Sequence, residues 1–254
     1  MEYFVDTGSV VRKIWGKSDT ILFIFAGASA EFALNKAVDW LYFTGRLPAD
    51  PIGRLFSTVS YARQIVFADK ASAENAIDKI TSIHAAVETK RGSQIPDWAY
   101  RDVLFMLIHY SIASYEVLEH KLTPNEKEDV YQVFYRIGSR MNIKGLPATY
   151  EEWLPVRASH LQEDLQKTNY TIDLFKQYKK HLGPVRYQLL KNAQLLVAPQ
   201  KVKELLNFGG ISILKFILPI YKLSGQLKFD WLLKAIILPS SYKTEIKALD
   251  QKPA

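Results

Sequence analysis

The sequence predicts an all-α protein, a single multi-helix domain of roughly ten or more helices that encloses a buried pocket. Apolar residues recur at helical spacing, as at Leu55, Val59, Ala62 and Val66. Helix start and stop signals are frequent, whereas no Asn-Gly or Asp-Gly pair marks a β-hairpin. A chain of 254 residues accommodates this number of helices at a typical length of about 11–12 residues.

Proline and glycine pairs place the helix boundaries along the chain. The predicted starts are, in order, Asp50-Pro51, the capping boxes Thr123-Pro124-Asn125-Glu126 and Thr149-Tyr150-Glu151-Glu152, and Ala198-Pro199. Gly183-Pro184 and Gly209-Gly210 predict helix ends. The apolar run Ile21–Ala30 is too short to span a bilayer, which takes about 20 residues, and it predicts a buried helix. We expect one domain over 1–254, with a core at about 10–208 and a basic, apolar helical segment at 209–248 packing on it.

Composition excludes several classes of function. Cysteine is absent, so disulfides, thiolate nucleophiles and iron–sulfur clusters are excluded. Neither a phosphate-binding glycine loop nor the His-Glu-x-x-His or Gly-x-Ser-x-Gly motif occurs. The first 20 residues contain no long apolar run, and we expect a cytoplasmic location.

Positive charge is concentrated in the C-terminal third. The formal net charge is +7, and from Lys176 onward 14 Lys and Arg residues face four Asp and Glu residues. This pattern is typical of a solvated lysine-rich face on packed helices. Peripheral contact with an anionic membrane is the second interpretation. A nucleic-acid partner is not expected, because no recognition motif accompanies the charge.

Two of the five histidines lie in apolar helical segments and are candidate metal ligands. His84 is followed by the small residues Ala85 and Ala86, which leave room for a flat group, and His109 lies in a very apolar segment. A buried imidazole stays neutral and can donate a nitrogen lone pair to iron. Both could instead be hydrogen-bonded core residues. The others stand among charged residues and are expected to be solvated: His120, His160 and His181.

A second candidate cluster combines a cation with a hydroxyl. Arg54 and Thr58 are four residues apart, so a helix places them on one face. A guanidinium and a hydroxyl on one face suit a carboxylate, such as a haem propionate. Alone, this signal is weak, because threonine in a helix often bonds only to its own backbone.

The order of these clusters resembles the core of the MpaB/rubber-oxygenase family, the latex-clearing-protein type of domain. The segments that carry the resemblance are Pro51-Ile52-Gly53-Arg54-Leu55, Thr58, Val66-Phe67 and Ile83-His84-Ala85-Ala86-Val87. Later segments follow in the family's order: Tyr100–Tyr115, Leu122-Thr123-Pro124-Asn125-Glu126, Leu218-Pro219-Ile220-Tyr221 and Ile237-Leu238-Pro239, the last two containing Leu-Pro pairs that end helices. The resemblance covers roughly Val10 to Ile246.

The resemblance implies an all-helical fold with haem b and an oxygenase that uses O₂ to cleave double bonds in isoprenoid chains. It implies His84 as the iron ligand, Arg54 and Thr58 as haem-pocket residues with catalytic roles, and His109 as a second histidine near the pocket. The implied partners are O₂ and a small apolar substrate, isoprenoid or lipid-like.

The sequence also departs from the family pattern. Ser57 stands where rubber oxygenases carry lysine, and no acidic residue clearly matches the family's pocket base, with Glu31 lying at least one turn upstream of the expected place. Three functions therefore stay open. They are a haem-dependent oxygenase, a non-catalytic haem or lipid/isoprenoid-binding relative, and a helical scaffold without a ligand.

Overall fold

The computed structural model describes residues 2–45 and 49–226, and in these ranges it forms eleven helices and no extended sheet. The helices are α1 (Val10–Trp15), α2 (Ser18–Phe32), α3 (Val38–Phe43), α4 (Pro51–Phe67), α5 (Lys70–Arg91), α6 (Asp97–Leu118), α7 (Pro124–Arg140), α8 (Tyr150–Glu163), α9 (Asn169–Val197), α10 (Gln200–Leu205) and α11 (Leu214–Gln226). The predicted all-α class is confirmed. None of the described helices is both long and apolar enough to cross a bilayer.

Most helix boundaries lie where the capping, proline and glycine residues predict them. Asp50 caps α4 by accepting a hydrogen bond from the Gly53 amide at 2.8 Å. Thr123 and Glu126 form the predicted capping box of α7. The predicted stop at Gly183 is a break inside α9, where the glycine adopts φ 72° and ψ 172°. Such a positive φ favours glycine, because other residues clash there.

Two details differ from the sequence prediction. Glu152 does not complete a capping box with Thr149, since its carboxylate accepts from the Ala148 amide instead. Pro219 does not end a helix but lies inside α11. The prediction that the pair Leu218-Pro219 ends a helix was therefore wrong. The pair Leu238-Pro239 and the rest of the predicted segment beyond residue 226 lie outside the described residues.

The core forms where α2, α6 and α9 meet. The predicted buried helix is confirmed, because α2 contains the fully buried Ile21 and Ile24. Gly27 lets α2 approach α6 closely, since a Cβ there would lie only 2.2 Å from the Tyr110 ring. Two stretches of chain after α2 and α8 are tied together, as the Lys36 amide donates to the Asp164 carbonyl at 2.9 Å.

A helical hairpin of α4 and α5 packs beside this core. The two helices are joined by only two residues, Ala68 and Asp69, so they run antiparallel. Residues at equal distance from the turn therefore lie at the same level, and this brings the start of α4 beside the second half of α5. The N-terminal segment holds the turn through the Lys70 amide, which donates to the Glu2 carbonyl at 2.9 Å.

Candidate functional site

Arg54 and Thr58 lie on one face of α4, as the sequence predicts. The Arg54 Nη1 donates to the Thr58 hydroxyl at 2.9 Å and to the Ser57 hydroxyl at 3.1 Å. Gly53 permits this local structure, because a Cβ there would lie 2.1 Å from a carboxylate oxygen of Asp50, which caps the helix. The guanidinium is therefore held on the side of α4 that carries both hydroxyls.

His84 lies on α5 within the electrostatic reach of Arg54. Its Nδ1 is buried, and none of the described residues forms a hydrogen bond with it. Burial lowers the pKa of His84, and the positive charge of Arg54 lowers it further, against the opposing charge of Glu88. The imidazole is therefore neutral near pH 7, and its buried Nδ1 stays unpaired within residues 2–45 and 49–226.

Tyr100 of α6 holds the His84 ring from one side. The two rings meet edge-on, with centroids 5.2 Å apart and planes at 66°. The Tyr100 hydroxyl donates to Glu88 at 3.1 Å, and the same carboxylate oxygen accepts from the Ile95 amide at 2.8 Å. Burial and the Glu88 contact raise the pKa of Tyr100, so the hydroxyl stays protonated. These contacts fix the position of the Tyr100 ring, which lies against the His84 imidazole.

The flank of α5 beside His84 is open. Ala85 and Ala86 are exposed, and Ile83 is 42 % exposed. These small, exposed side chains leave this face of the helix accessible in the part of the chain that the structure describes. This matches the expectation that a flat group could approach His84 from this side, although the predicted enclosed pocket stays a prediction.

His109 belongs to a different environment. Its Nε2 faces the Val197 carbonyl at 3.4 Å, and its ring meets Tyr110 edge-on at 4.9 Å. Burial and then the charge of Arg157 lower the pKa of His109 to about 4. Within the described residues, the hydrogen-bond and ring contacts of His109 thus run to α9 and along α6. The structure brings three of the four predicted site residues together and places this one elsewhere.

Glu31 is engaged deep in the core. Both of its oxygens accept from Arg157 at 2.6 Å in a bidentate ion pair, and one also accepts from the Tyr110 hydroxyl at 2.9 Å. The two charged side chains are only 1 % and 5 % exposed. Sequence reasoning considered Glu31 only as a distant match to a pocket acid and did not find this partner.

A third polar cluster lies between α6 and the end of α8, and the sequence reading of one of its members was wrong. His160 is not solvated but buried, because it lies under the Phe105 ring and its Nδ1 contacts Asp102. Asp164 approaches the same nitrogen at 3.4 Å. The i,i+4 spacing of His160 and Asp164 was the sequence signal that could have indicated this cluster. The charged neighbours suggested a solvated helix face, although one of them, Arg157, is itself buried.

Comparison with known families supplies the identity that geometry alone does not. Comparison with curated proteins gave no significant match. The family model described as ER-bound oxygenase mpaB/B′/rubber oxygenase, catalytic domain, matches residues 13–213, more than three quarters of the chain. This range contains Arg54, Thr58 and His84. Membership suggests an oxygenase-type activity and, with it, a metal or haem cofactor. The chain belongs to the ER-bound oxygenase mpaB/B′ and rubber oxygenase family.

Proposed function

We propose that this protein is a haem b-dependent oxygenase that acts with O₂ on a small apolar substrate, isoprenoid or lipid-like. The observation that carries the proposal is the half-buried, neutral imidazole of His84, whose buried Nδ1 has no hydrogen-bond partner among the described residues. A metal-bound group beside this ring would explain why a polar residue lies in an otherwise apolar stretch of α5.

The residues around His84 fit such a group. A neutral imidazole is the protonation state that coordinates iron, and burial together with Arg54 favours that state. Arg54 and Thr58, one turn apart on α4, form the donor pair that suits a propionate carboxylate. The exposed Ala85 and Ala86 leave space for a planar ring system.

Each of these residues has a definite task. Bound haem would supply the redox chemistry that activates O₂. His84 would hold the iron, and Tyr100 keeps the imidazole plane in place through its edge contact. Arg54 would neutralise a carboxylate at the rim, and Thr58 orients the guanidinium. The apolar surface of the site favours an apolar substrate over water. A direct haem contact of His109 stays a prediction, and its Val197 contact favours a structural role.

The alternative function is a non-catalytic haem or lipid/isoprenoid-binding relative. One observation favours it: Glu31, the acidic residue upstream of Arg54, is paired on both oxygens with Arg157 and so is not a free base. Ser57 likewise replaces a lysine. Oxygen consumption separates the two functions, since the binder takes up haem but consumes no O₂ with unsaturated lipids or polyisoprenoids.

We further propose that the C-terminal part of the described structure rests on an anionic membrane. Ile211, Ile213 and Phe216 are exposed next to Lys215, and Phe216 is 68 % exposed. Apolar side chains beside lysines bind the interface of anionic bilayers. Flotation with vesicles that contain phosphatidylserine should recover the protein, and Phe216→Ser should reduce recovery. Equal recovery of both proteins would contradict this contact.

Absorption spectroscopy tests the haem assignment. Purified protein, reconstituted with haemin, should show a Soret band that shifts on reduction with dithionite. His84→Ala should abolish the band, whereas the matched change His120→Ala, at an exposed histidine, should leave it intact. A wild-type protein that takes up no haemin, or a His84→Ala protein with an unchanged spectrum, would refute the proposal.

A further inference from the structure

We propose that Asp102, His160 and Asp164 form a binding site for a divalent transition-metal ion of the Zn²⁺ type, separate from the His84 site. The site is formed by α6, by α8 and by the residue that caps the end of α8. This inference does not depend on haem binding.

The three donor atoms converge on one point. The His160 Nδ1, one oxygen of Asp102 and one of Asp164 all lie within 4.8 Å of one another. The Asp164 oxygen is 3.4 Å from the imidazole nitrogen. Zinc bonds of about 2.0–2.2 Å at tetrahedral angles place neighbouring donors roughly 3.3–3.6 Å apart. The His160 Nδ1 contacts Asp102. In the metal-bound form its lone pair would point at the ion and the ring proton would lie on Nε2.

A second layer of contacts orients these donors. The Asn35 Nδ2 donates to the remaining oxygen of Asp102 at 2.6 Å, and its own carbonyl oxygen accepts from the Ala37 amide at 2.8 Å. The Phe105 ring lies 5.2 Å from the imidazole. Polar groups behind the ligands and an apolar wall around them are what metal sites in proteins use to fix ligand orientation.

The charges of the cluster favour a cation. Asp102 is buried and Asp164 is partly buried, and they approach the same imidazole nitrogen. The negative charges of the two carboxylates therefore repel each other. A divalent ion would remove this repulsion. The neighbouring guanidinium of Arg157 already pairs with Glu31 at both terminal nitrogens.

The donor set indicates the class of metal. One imidazole and two carboxylates form a mixed nitrogen and oxygen set with room for a water ligand, which suits Zn²⁺ or Mn²⁺. Mg²⁺ prefers oxygen donors in octahedral geometry. The site ties α6 and α8 to the chain after α2, where the Gln166 amide donates to the Leu34 carbonyl at 2.7 Å. We therefore expect the bound ion to stabilise the packing of α6, α8 and the segment that follows α2.

Calorimetry on the full chain tests the site. Chelator-treated protein is titrated with zinc sulfate and, separately, with magnesium chloride, and its thermal unfolding is followed with and without zinc. We expect one Zn²⁺ per chain, much weaker Mg²⁺ binding, and a higher Tm with zinc. Asn35→Ala should weaken zinc binding about 10–100-fold.

Ligand variants decide the outcome. Asp164→Asn should lose the zinc-dependent rise in Tm, and His160→Gln should lose zinc binding, whereas the control His120→Gln should behave as wild type. Asp164 is partly exposed, so this variant keeps the test decisive if His160→Gln fails to fold. The proposal is overturned if wild-type protein binds no zinc. It is overturned equally if Asp164→Asn binds zinc like wild type.

Discussion

Removing the buried guanidinium of Arg157 should destabilise the protein strongly. In Arg157→Met, Glu31 loses both 2.6 Å hydrogen bonds and keeps only the 2.9 Å contact from Tyr110. The carboxylate is 1 % exposed, so water cannot replace the lost donors. Removing one partner of a buried ion pair lowers the free energy of unfolding by about 3–5 kcal/mol. A chain of this size then melts about 6–20 °C lower, at about 2–4 °C per kcal/mol.

The double variant Glu31→Leu/Arg157→Met distinguishes the free-energy cost of leaving one buried charge unpaired from the cost of lost packing. Glu31→Leu alone leaves the guanidinium unpaired and should cost as much as Arg157→Met. In Glu31→Leu/Arg157→Met neither charge remains, and only the Tyr110 hydroxyl loses its acceptor, a cost of about 1–3 kcal/mol. Adding Tyr110→Phe removes that last group. Urea unfolding measured by circular dichroism gives all four free energies. If the double variant is destabilised by the sum of the single variants, the electrostatic argument is refuted.

Three further changes test the helix packing, a helix cap and a buried histidine. Gly27→Ala should cost about 1–3 kcal/mol, because its Cβ would lie 2.2 Å from the Tyr110 ring, and denaturant unfolding measures this. Thr123→Ala should cost about 0.5–2 kcal/mol by the same assay, because α7 loses the cap that Glu126 completes. For His109, stability should fall as the pH drops from about 6.5 to about 4, because only the unfolded chain takes up a proton there. Unfolding free energies measured across this pH range should fall less steeply in His109→Gln.

Controls are available for each of these changes. Gly8→Ala should be neutral to within about 0.5 kcal/mol, since a Cβ there has no atom within 4 Å, and an equal loss at both glycines would contradict the packing argument. Thr123→Ser keeps the capping oxygen and should retain most of the stability. The charges that face His109 are those of Glu31, Arg157 and Lys203, so the pH experiment is run at constant ionic strength. A pH profile identical to wild type in His109→Gln would remove His109 as the cause.

Local features of the structure could be predicted from the sequence because they depend on a few adjacent residues. A cap such as Asp50 or Thr123 acts within one turn, and the Arg54–Thr58 pair follows from helical spacing alone. The environment of His84 was expected for the same reason, since its small neighbours Ala85 and Ala86 are adjacent in the chain. Periodicity and capping residues therefore predicted most of the helices, whereas the haem roles of His84, Arg54 and Thr58 came from the family resemblance and stay predictions.

The polar clusters in the core could not be predicted in this way. Glu31 and Arg157 are 126 residues apart, and Asp102 and His160 are 58 apart. Their pairing depends on how α2, α6 and α8 pack, and no local pattern reports that packing. His160 was wrongly predicted to be solvated because its charged sequence neighbours suggested an exposed helix face. Arg157 and Asp164 lie on the same face as His160 and are buried and partly buried. The position of His109 likewise depends on α9, whose end supplies the Val197 carbonyl.

The candidate haem site lies on the hairpin of α4 and α5 and not in the core. In the core, both Glu31 oxygens accept from the terminal nitrogens of Arg157, so this pair joins α2 to α8 and is not directed at a ligand. On the hairpin of α4 and α5, the buried His84 Nδ1 has no hydrogen-bond partner among the described residues, and the adjoining flank of α5 leaves Ile83 exposed. The unpaired nitrogen costs free energy unless something binds there. A ligand that covers this flank and satisfies the imidazole would therefore stabilise the hairpin, so haemin should raise the Tm of wild-type protein but not that of His84→Ala.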